Sequence, residues 1–220
     1  MTSMDRVERW TAELGLPGLT DPLDPLGQAI GVQLYRMLAA GAPVRLLQVA
    51  DELGVTVEAV DNALTGRPGI VRDDTGNVTA YLGLTLKPTP HRISFDENTL
   101  YTWCAWDTML VAHLLGRDLE VISPCVVSGV DVGLTLTGDG IAKANPSSTR
   151  VSMVTPTLEA LADDFHAAFC GRIHFLADDE AGRTWLNDNP DGLTLTLSEA
   201  FNFARIRNER VFGTALGVAA

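Results

Sequence analysis

Apolar residues recur at helical spacing in the first third of the chain and then give way to alternating patterns. The segment QAIGVQLYRMLAAG, residues 28–41, has the spacing of an amphipathic helix that ends at a glycine. The following RLLQVADELGVTVEAVDNALTG predicts two helices separated by a turn at Gly54. Next, GIVRDDTGNVTAYLGL predicts two strands around an Asp-Thr-Gly-Asn turn. Three helices followed by a hairpin predict a winged-helix-like domain over residues 28–92.

A short segment precedes this domain. Residues 4–14 predict a helix, and PGLTDPLDPLG, residues 17–27, contains three prolines and two glycines. Because proline and glycine interrupt regular structure, we interpret residues 1–27 as an N-terminal helix and a linker.

Helical and strand-like patterns alternate from residue 93 to residue 220. NTLYTWCAWDTMLVAHLLG predicts a helix with Asn98 or Thr99 as the N-cap and Gly116 as its end. Strands are predicted for LEVISPCVV, VGLTLTG, RVSMVTP and GRIHFLAD, and helices for LEALADDFHAAF, DEAGRTWLNDN and SEAFNFARIRNERVFG, the last with Ser198 as N-cap. The predicted fold class is therefore α+β, with the N-terminal three-helix module followed by a mostly antiparallel sheet domain with flanking helices.

The charge of the chain argues against nucleic acid as a partner. The 220 residues have a formal net charge of −12 and a pI near 4.6, whereas phosphate binding needs clustered Lys and Arg. The helix that would enter DNA, residues 56–65, contains Glu58 and Asp61 but no Lys or Arg. We therefore expect the module to pack against the second domain rather than to bind DNA.

Neither a membrane span nor a secretory signal is visible in the sequence. The longest apolar runs are interrupted by charges, Gly and Pro, and the N-terminal MTSMDRVERW lacks an apolar core. We expect a cytoplasmic protein with no membrane partner.

Cys104 and Asp107 are the first candidates for chemistry. The chain has three cysteines, Cys104, Cys125 and Cys170, whose spacing fits no zinc finger, and we expect them to be thiols in a reducing cytoplasm. Residues three apart on the predicted helix are neighbours, and a carboxylate disfavours a nearby thiolate. The Cys104 thiol should therefore lose its proton only when something positive binds the sulfur, with Asp107 placed to accept that proton.

A second sulfur would complete a site for a soft metal. Cys170 lies at an element boundary before GRIHFLAD, and two facing thiolates would hold a near-linear soft ion such as Hg(II). An alternative is a zinc site of Cys104, Cys170 and His174, since Cys170 and His174 would share a strand face. That set lacks the close ligand pair typical of zinc sites. Cys125 has no acid beside it, so we interpret it as structural.

The two cysteine motifs together resemble one protein family. LYTWCAWDTML, followed at a distance by AFCGRIHF, is similar to the organomercurial lyase (alkylmercury lyase) family, which has a Cys-x-x-Asp helix and a second Cys before a His-Phe strand. The resemblance covers much of the chain and implies that residues 93–220 form the catalytic domain. It also implies that Cys104, Asp107 and Cys170 are the catalytic residues. Some relatives have a further cysteine where this chain has Gly171, and we expect activity without it.

The resemblance further implies a reaction, a substrate and partners. The family protonates a carbon–mercury bond, releases a hydrocarbon and leaves Hg(II) on two thiolates, here Cys104 and Cys170, with Asp107 as an additional candidate ligand. Mercury enters as part of the organomercurial substrate, so no cofactor is implied. Cellular thiols or mercuric reductase would take the ion, and the protein would be a monomer. From their sequence neighbourhood, we expect Trp103, Trp106 and Phe169 to line the pocket for the organic group.

Two other functions fit the same residues. One is a non-enzymatic protein that binds or senses soft metals such as mercury. The other is a relative of the family that acts on a different substrate, because the motif fixes the chemistry better than it fixes the substrate. Release of a hydrocarbon from methylmercury or phenylmercury would separate the enzyme from the sensor.

Overall fold

The computed structural model describes residues 21–67 and 69–217. The helix predicted for residues 4–14 and the first part of the linker lie outside the described residues. Among the described residues, no helix combines the length and apolar character that a membrane crossing requires.

Three helices form the N-terminal part, as the hydrophobic pattern predicts. Helix α1 (Pro25–Leu38) begins where the Asp24 carboxylate accepts a hydrogen bond from the backbone N–H of Gly27 at 2.9 Å. Helix α2 (Leu46–Leu53) ends at Gly54, whose φ of 64° is the left-handed conformation of a helix C-cap. Helix α3 (Val57–Leu64) follows, with Thr56 as its N-cap. The apolar faces of the three helices pack around Leu34 and Leu38, which are fully buried.

The predicted hairpin opens a larger sheet. Within the described residues, eight antiparallel strands have the order β1-β2-β3-β5-β4-β6-β7-β8. The strands are β1 (Ile70–Arg72), β2 (Val78–Tyr81), β3 (Leu84–Thr85), β4 (His91–Phe95), β5 (Asn98–Thr102), β6 (Leu119–Pro124), β7 (Asp131–Leu136) and β8 (Ile141–Asn145). The division into domains 28–92 and 93–220 stays a prediction from the sequence, and strand β4 spans its boundary.

The long helix predicted from Asn98 is wrong in its first half. Residues 98–102 form strand β5, and helix α4 (Asp107–Leu115) begins only after a turn. Leu100 and Thr102 are buried on one face of β5, which pairs with β4 on one side and β3 on the other. A short apolar run rich in aromatic and β-branched residues suits a buried strand as well as a helix, and sheet pairing decided between them. Gly116 ends α4 as predicted, with φ of 58°.

The rest of the chain forms a second, smaller sheet and its flanking helices. Strands β9 (Arg150–Val154), β10 (Phe175–Leu176) and β11 (Gly192–Thr196) form a three-stranded antiparallel sheet. The helices are α5 (Leu158–Asp163), α6 (Phe165–Ala168), α7 (Asp179–Asp188) and α8 (Leu197–Phe212), with 3₁₀ turns at Cys170–Arg172 and Gly213–Leu216.

Two details of this region differ from the prediction. The strand predicted for GRIHFLAD is confined to Phe175–Leu176, and Cys170 lies in a 3₁₀ turn before it. Helix α8 is capped by Thr196 rather than Ser198. The Thr196 hydroxyl accepts from the backbone N–H of Glu199, and the Glu199 carboxylate accepts from the Thr196 N–H, which is a capping box. The overall α+β architecture is confirmed.

Candidate active site

Cys104 lies in the turn between strand β5 and helix α4. Its carbonyl accepts a hydrogen bond from the Thr102 hydroxyl at 2.9 Å, and the neighbouring Trp103 N–H donates to the Gly83 carbonyl at 2.8 Å. The backbone N–H of Cys104 donates to a carboxylate oxygen of Asp107 at 3.0 Å. Cys104 and Asp107 are therefore adjacent, but through a turn at the beginning of a helix and not through one helical face.

Asp107 is a buried carboxylate at the first position of α4. Its side chain is 5% exposed, and the helix dipole favours a negative charge at this end. Gly83, which has φ of 101°, packs so closely that a Cβ there would lie 2.4 Å from Cγ of Asp107. Only glycine leaves room for this carboxylate, so the turn between β2 and β3 fixes its position.

Cys170 approaches from the other part of the chain. It begins the 3₁₀ turn after Phe169 and is 4% exposed. The Ala105 N–H, next to Cys104, donates to the Ile173 carbonyl at 3.2 Å, which ties the two cysteine segments together. This hydrogen bond joins the turn that contains Cys104 to the segment that contains Cys170, although the two are far apart in sequence.

The structure brings the three predicted residues into one cluster. Sγ of Cys104, Sγ of Cys170 and a carboxylate oxygen of Asp107 all lie within 4.8 Å of one another, and all three residues are buried. Both cysteines are free thiols. Two free thiols this close together, with a carboxylate beside them, can bind one soft ion.

Burial raises the pKa of two groups in this cluster, Cys104 and Asp107. Burial raises the pKa of the Cys104 thiol well above its usual range, and the hydrogen bond with Cys170 and the charge of Asp107 act in the same direction. Burial also raises the pKa of Asp107 to about 6, although hydrogen bonds from Cys104 and the charge of Arg207 oppose it. A carboxyl group with a pKa near neutrality can both accept and donate a proton.

An open groove of about 510 Å³ leads to Cys170 and not to the other two residues. Its lining includes Cys170 and Gly171, but neither Cys104 nor Asp107. Trp103 lines this groove, as expected from the sequence. Trp106 and Phe169 do not line it. Trp106 instead stacks on Phe203 with ring centroids 4.6 Å apart and meets Phe169 edge-on.

His174 is not part of the cluster, so the zinc alternative with Cys104 and Cys170 has no support among the described residues. The strand face that Cys170 and His174 were expected to share does not exist, since Cys170 lies in the 3₁₀ turn. His174 instead lines the groove with His91, and the two rings stack with centroids 6.4 Å apart.

Cys125 lies apart from the cluster, in the turn after strand β6. Its sulfur accepts a hydrogen bond from the Ala177 N–H at 3.3 Å. Burial alone would raise its pKa, but hydrogen bonds from Ser128, Ala177 and Val127 lower it. These contacts join the β6–β7 turn to the smaller sheet, in line with a structural role.

Three contributors to the site were not found from the sequence. They are Gly83, which shapes the position of Asp107, the buried Arg207 of α8, and His91 with its neighbours in the groove. Gly83 lies within the segment that predicts the hairpin, and His91 lies outside the predicted helices and strands, so the sequence pattern marks neither as part of a site. A charged residue within an otherwise apolar helical face was the available signal for Arg207.

Comparison with known proteins gives the same family as the motifs. The family model of alkylmercury lyase matches residues 84–207, and a helix-turn-helix domain model of alkylmercury lyase matches residues 18–81. The alkylmercury lyase of Staphylococcus epidermidis is 39% identical over 184 residues, which cover 81% of this chain and 83% of that protein. The chain belongs to the alkylmercury lyase family.

Other relatives and a solved structure agree with this membership. The alkylmercury lyases of Streptomyces lividans and Pseudomonas putida are 38% and 33% identical, over 78% and 80% of this chain and 78% and 81% of theirs. A crystal structure of the mercury-bound form of MerB2 has the same fold, with a TM-score of 0.73, 23% identity and coverage of 94% of this chain and 98% of that one. This chain and that structure thus share the α+β fold.

Proposed function

We propose that this protein is an organomercurial lyase that cleaves carbon–mercury bonds by protonolysis. The observation that supports the proposal most directly is the buried cluster in which two thiols and a carboxylate lie within 4.8 Å of one another. Soft sulfur ligands favour mercury, and the adjacent acid supplies the proton that the leaving carbon needs. The relatives named above as alkylmercury lyases support the same assignment.

The reaction begins when one thiol displaces the ligand that accompanies the organomercurial. The sulfur–mercury bond forms, and the thiol proton passes to the Asp107 carboxylate or leaves with the displaced ligand. The raised pKa of Cys104 keeps this thiol protonated until mercury binds, so that other cations do not bind the sulfur first.

The second thiolate then weakens the carbon–mercury bond. As the second sulfur coordinates, electron density on mercury increases, and the carbon takes a proton from Asp107 as its bond to mercury breaks. Two thiol protons are released in total: one ends on the hydrocarbon and the other on the displaced ligand. Hg(II) stays on Cys104 and Cys170, with Asp107 beside it as a further ligand. No cofactor is needed, because the metal is part of the substrate.

The proposal extends to the partners. Organomercurial small molecules are the substrates, and cellular thiols or mercuric reductase accept Hg(II). We propose a cytoplasmic monomer that binds no nucleic acid, supported by the acidic charge and by helix α3, which has Glu58 and Asp61 but neither Lys nor Arg.

Hydrocarbon release tests the proposal. The purified protein is incubated with phenylmercury and excess thiol, and benzene is measured by gas chromatography. We expect release by the wild type and by Cys125→Ser, whose thiol lies outside the cluster, and none by Cys104→Ser. Asp107→Asn should lower the rate about 10²-fold or more, the usual contribution of general acid catalysis.

The same samples separate the competing functions. If the protein binds mercury tightly but releases no benzene, it is a soft-metal binder or sensor. If Asp107→Asn releases benzene at the wild-type rate, Asp107 is not the proton donor. Fluorescence or circular dichroism spectra of each variant establish that it is folded.

A further inference from the structure

We propose that the groove beside Cys170 is the binding site for a small thiol that bears a carboxylate, and that Hg(II) is released from Cys170 first. The inference rests on the proposed function in that the ion bound at the cluster is its product. It adds the chemical class of the acceptor, its point of entry and the order of release.

The position of the groove determines the order. A thiol that enters it meets Cys170, because Cys170 lines the groove, while Cys104 is fully buried and neither Cys104 nor Asp107 is part of the lining. Thiol exchange requires the incoming sulfur to reach the metal, and the groove provides an open path on the Cys170 side. Cys104 therefore holds the ion until a second thiol follows the first.

The charges around the groove select the acceptor. Among the residues that the structure describes, no Asp or Glu lines the groove, although the chain has 28 acidic residues and a net charge of −12. Its cationic side chain is Lys87, which is exposed and takes part in none of the ion pairs between described residues. A carboxylate is attracted here and repelled over much of the remaining surface.

Two histidines of the lining, His91 and His174, add no positive charge to that of Lys87. Burial lowers the pKa of His91 to about 4 and also lowers that of His174, so both rings are uncharged at neutral pH. His166 also lines the groove, and apolar side chains such as Pro88, Pro124 and Val126 form part of its walls. A volume of about 510 Å³ is in the range of small-molecule pockets and accommodates a thiol as large as a short peptide.

The exchange balances without a redox step. The first thiol forms a sulfur–mercury bond while the bond between mercury and Cys170 breaks, and the proton of the thiol ends on the Cys170 sulfur. A second thiol replaces Cys104 in the same way. The products are a bis-thiolate complex of Hg(II) and the enzyme with both cysteines protonated.

The first experiment measures displacement of mercury from protein loaded with mercuric chloride. Mercaptoacetate, mercaptoethanol and cysteamine are mixed with wild type and Lys87→Glu, and the loss of mercury–thiolate absorbance is followed by stopped flow. Lys143→Glu is the matched control, because Lys143 is also exposed but lies on β8, outside the groove lining. The ratio of wild-type to variant rates is compared among thiols, so that the intrinsic reactivity of each thiol cancels.

We expect Lys87→Glu to slow displacement by mercaptoacetate on the order of fivefold, the size expected for reversing one nearby charge in a water-like dielectric. Displacement by cysteamine should become faster, and displacement by mercaptoethanol should not change. Equal ratios for all three thiols, or equal effects of Lys143→Glu, would overturn the proposal.

The second experiment needs no mercury. Mercury-free wild type is treated with iodoacetate or iodoacetamide, and modification of each cysteine is measured by peptide mass spectrometry. We expect Cys170 to react before Cys104, and Lys87→Gln to lower the preference of Cys170 for iodoacetate about two- to threefold. Faster reaction of Cys104 overturns the order of release. Because neither experiment uses an organomercurial, absence of carbon–mercury cleavage would refute the proposed function and leave this inference standing.

Discussion

Replacing Gly83 with alanine should displace Asp107 and destabilise the fold. Gly83 has φ of 101°, and an added Cβ would lie 2.4 Å from Cγ and 2.5 Å from Oδ1 of Asp107. The backbone strain of a non-glycine residue with positive φ costs about 1–2 kcal/mol, and overpacking against a buried group adds about 1–3 kcal/mol. We expect Gly83→Ala to lower the free energy of unfolding by about 2–5 kcal/mol in total.

Its catalytic effect should exceed what the lost stability explains. Asp107 must shift to relieve the contact, and because its carboxylate accepts the N–H of Cys104, the turn that presents the thiol shifts too. Displacement of a reacting group by about 1 Å can lower a rate on the order of 10²-fold. We expect a loss of this size in benzene release at a temperature where the variant is fully folded.

Gly76→Ala is the matched control for this substitution. Gly76 has a similar φ of 83°, but a Cβ there would meet nothing within 4 Å. It should lose about 1–2 kcal/mol of stability through backbone strain and keep wild-type kcat. Urea unfolding and benzene release are measured for both variants. If Gly83→Ala behaves like Gly76→Ala in both assays, the close packing of Gly83 on Asp107 is not what positions the carboxylate.

Two further substitutions test the electrostatics of the site and the construction of α8. Burial raises the pKa of Asp107 from 3.8 to about 6, so the folded protein holds this proton more tightly than the unfolded chain. The protonated Asp107 therefore contributes fully to the free energy of unfolding below pH 4, and about 3 kcal/mol of this contribution is lost as the pH rises through about 6. The free energy of unfolding of Asp107→Asn should not show this loss. Parallel pH profiles of the wild type and the variant would contradict the raised pKa. Thr196→Ala removes the N-cap of α8 and should cost about 1–2 kcal/mol in thermal unfolding without changing benzene release. A large loss of activity in the folded Thr196→Ala variant would show that the start of α8 also shapes the site.

Local sequence patterns predicted much of the fold because their signals are contained in short segments. Helices α1 to α3, the hairpin of β1 and β2, and the ends of helices at Gly54 and Gly116 depend on hydrophobic spacing and on glycine conformations. The main error was a helix predicted over residues 98–102. It arose because a short apolar run fits both the helical and the strand periodicity. The partners of that run, β3 and β4, are needed to choose the strand, and pairing with them is not a local property.

By itself, the sequence determined the candidate chemistry: two thiols, one acid and their membership of a recognisable motif. Only the tertiary structure decided that Cys104 and Asp107 meet in a turn, that Cys170 joins them from 66 positions later in the chain, and that Gly83 closes the site behind Asp107. It also decided that the groove reaches Cys170 alone among the three. The physical reason is that residue types fix what a group can bind or protonate, whereas distances, burial and access depend on contacts between segments far apart in sequence.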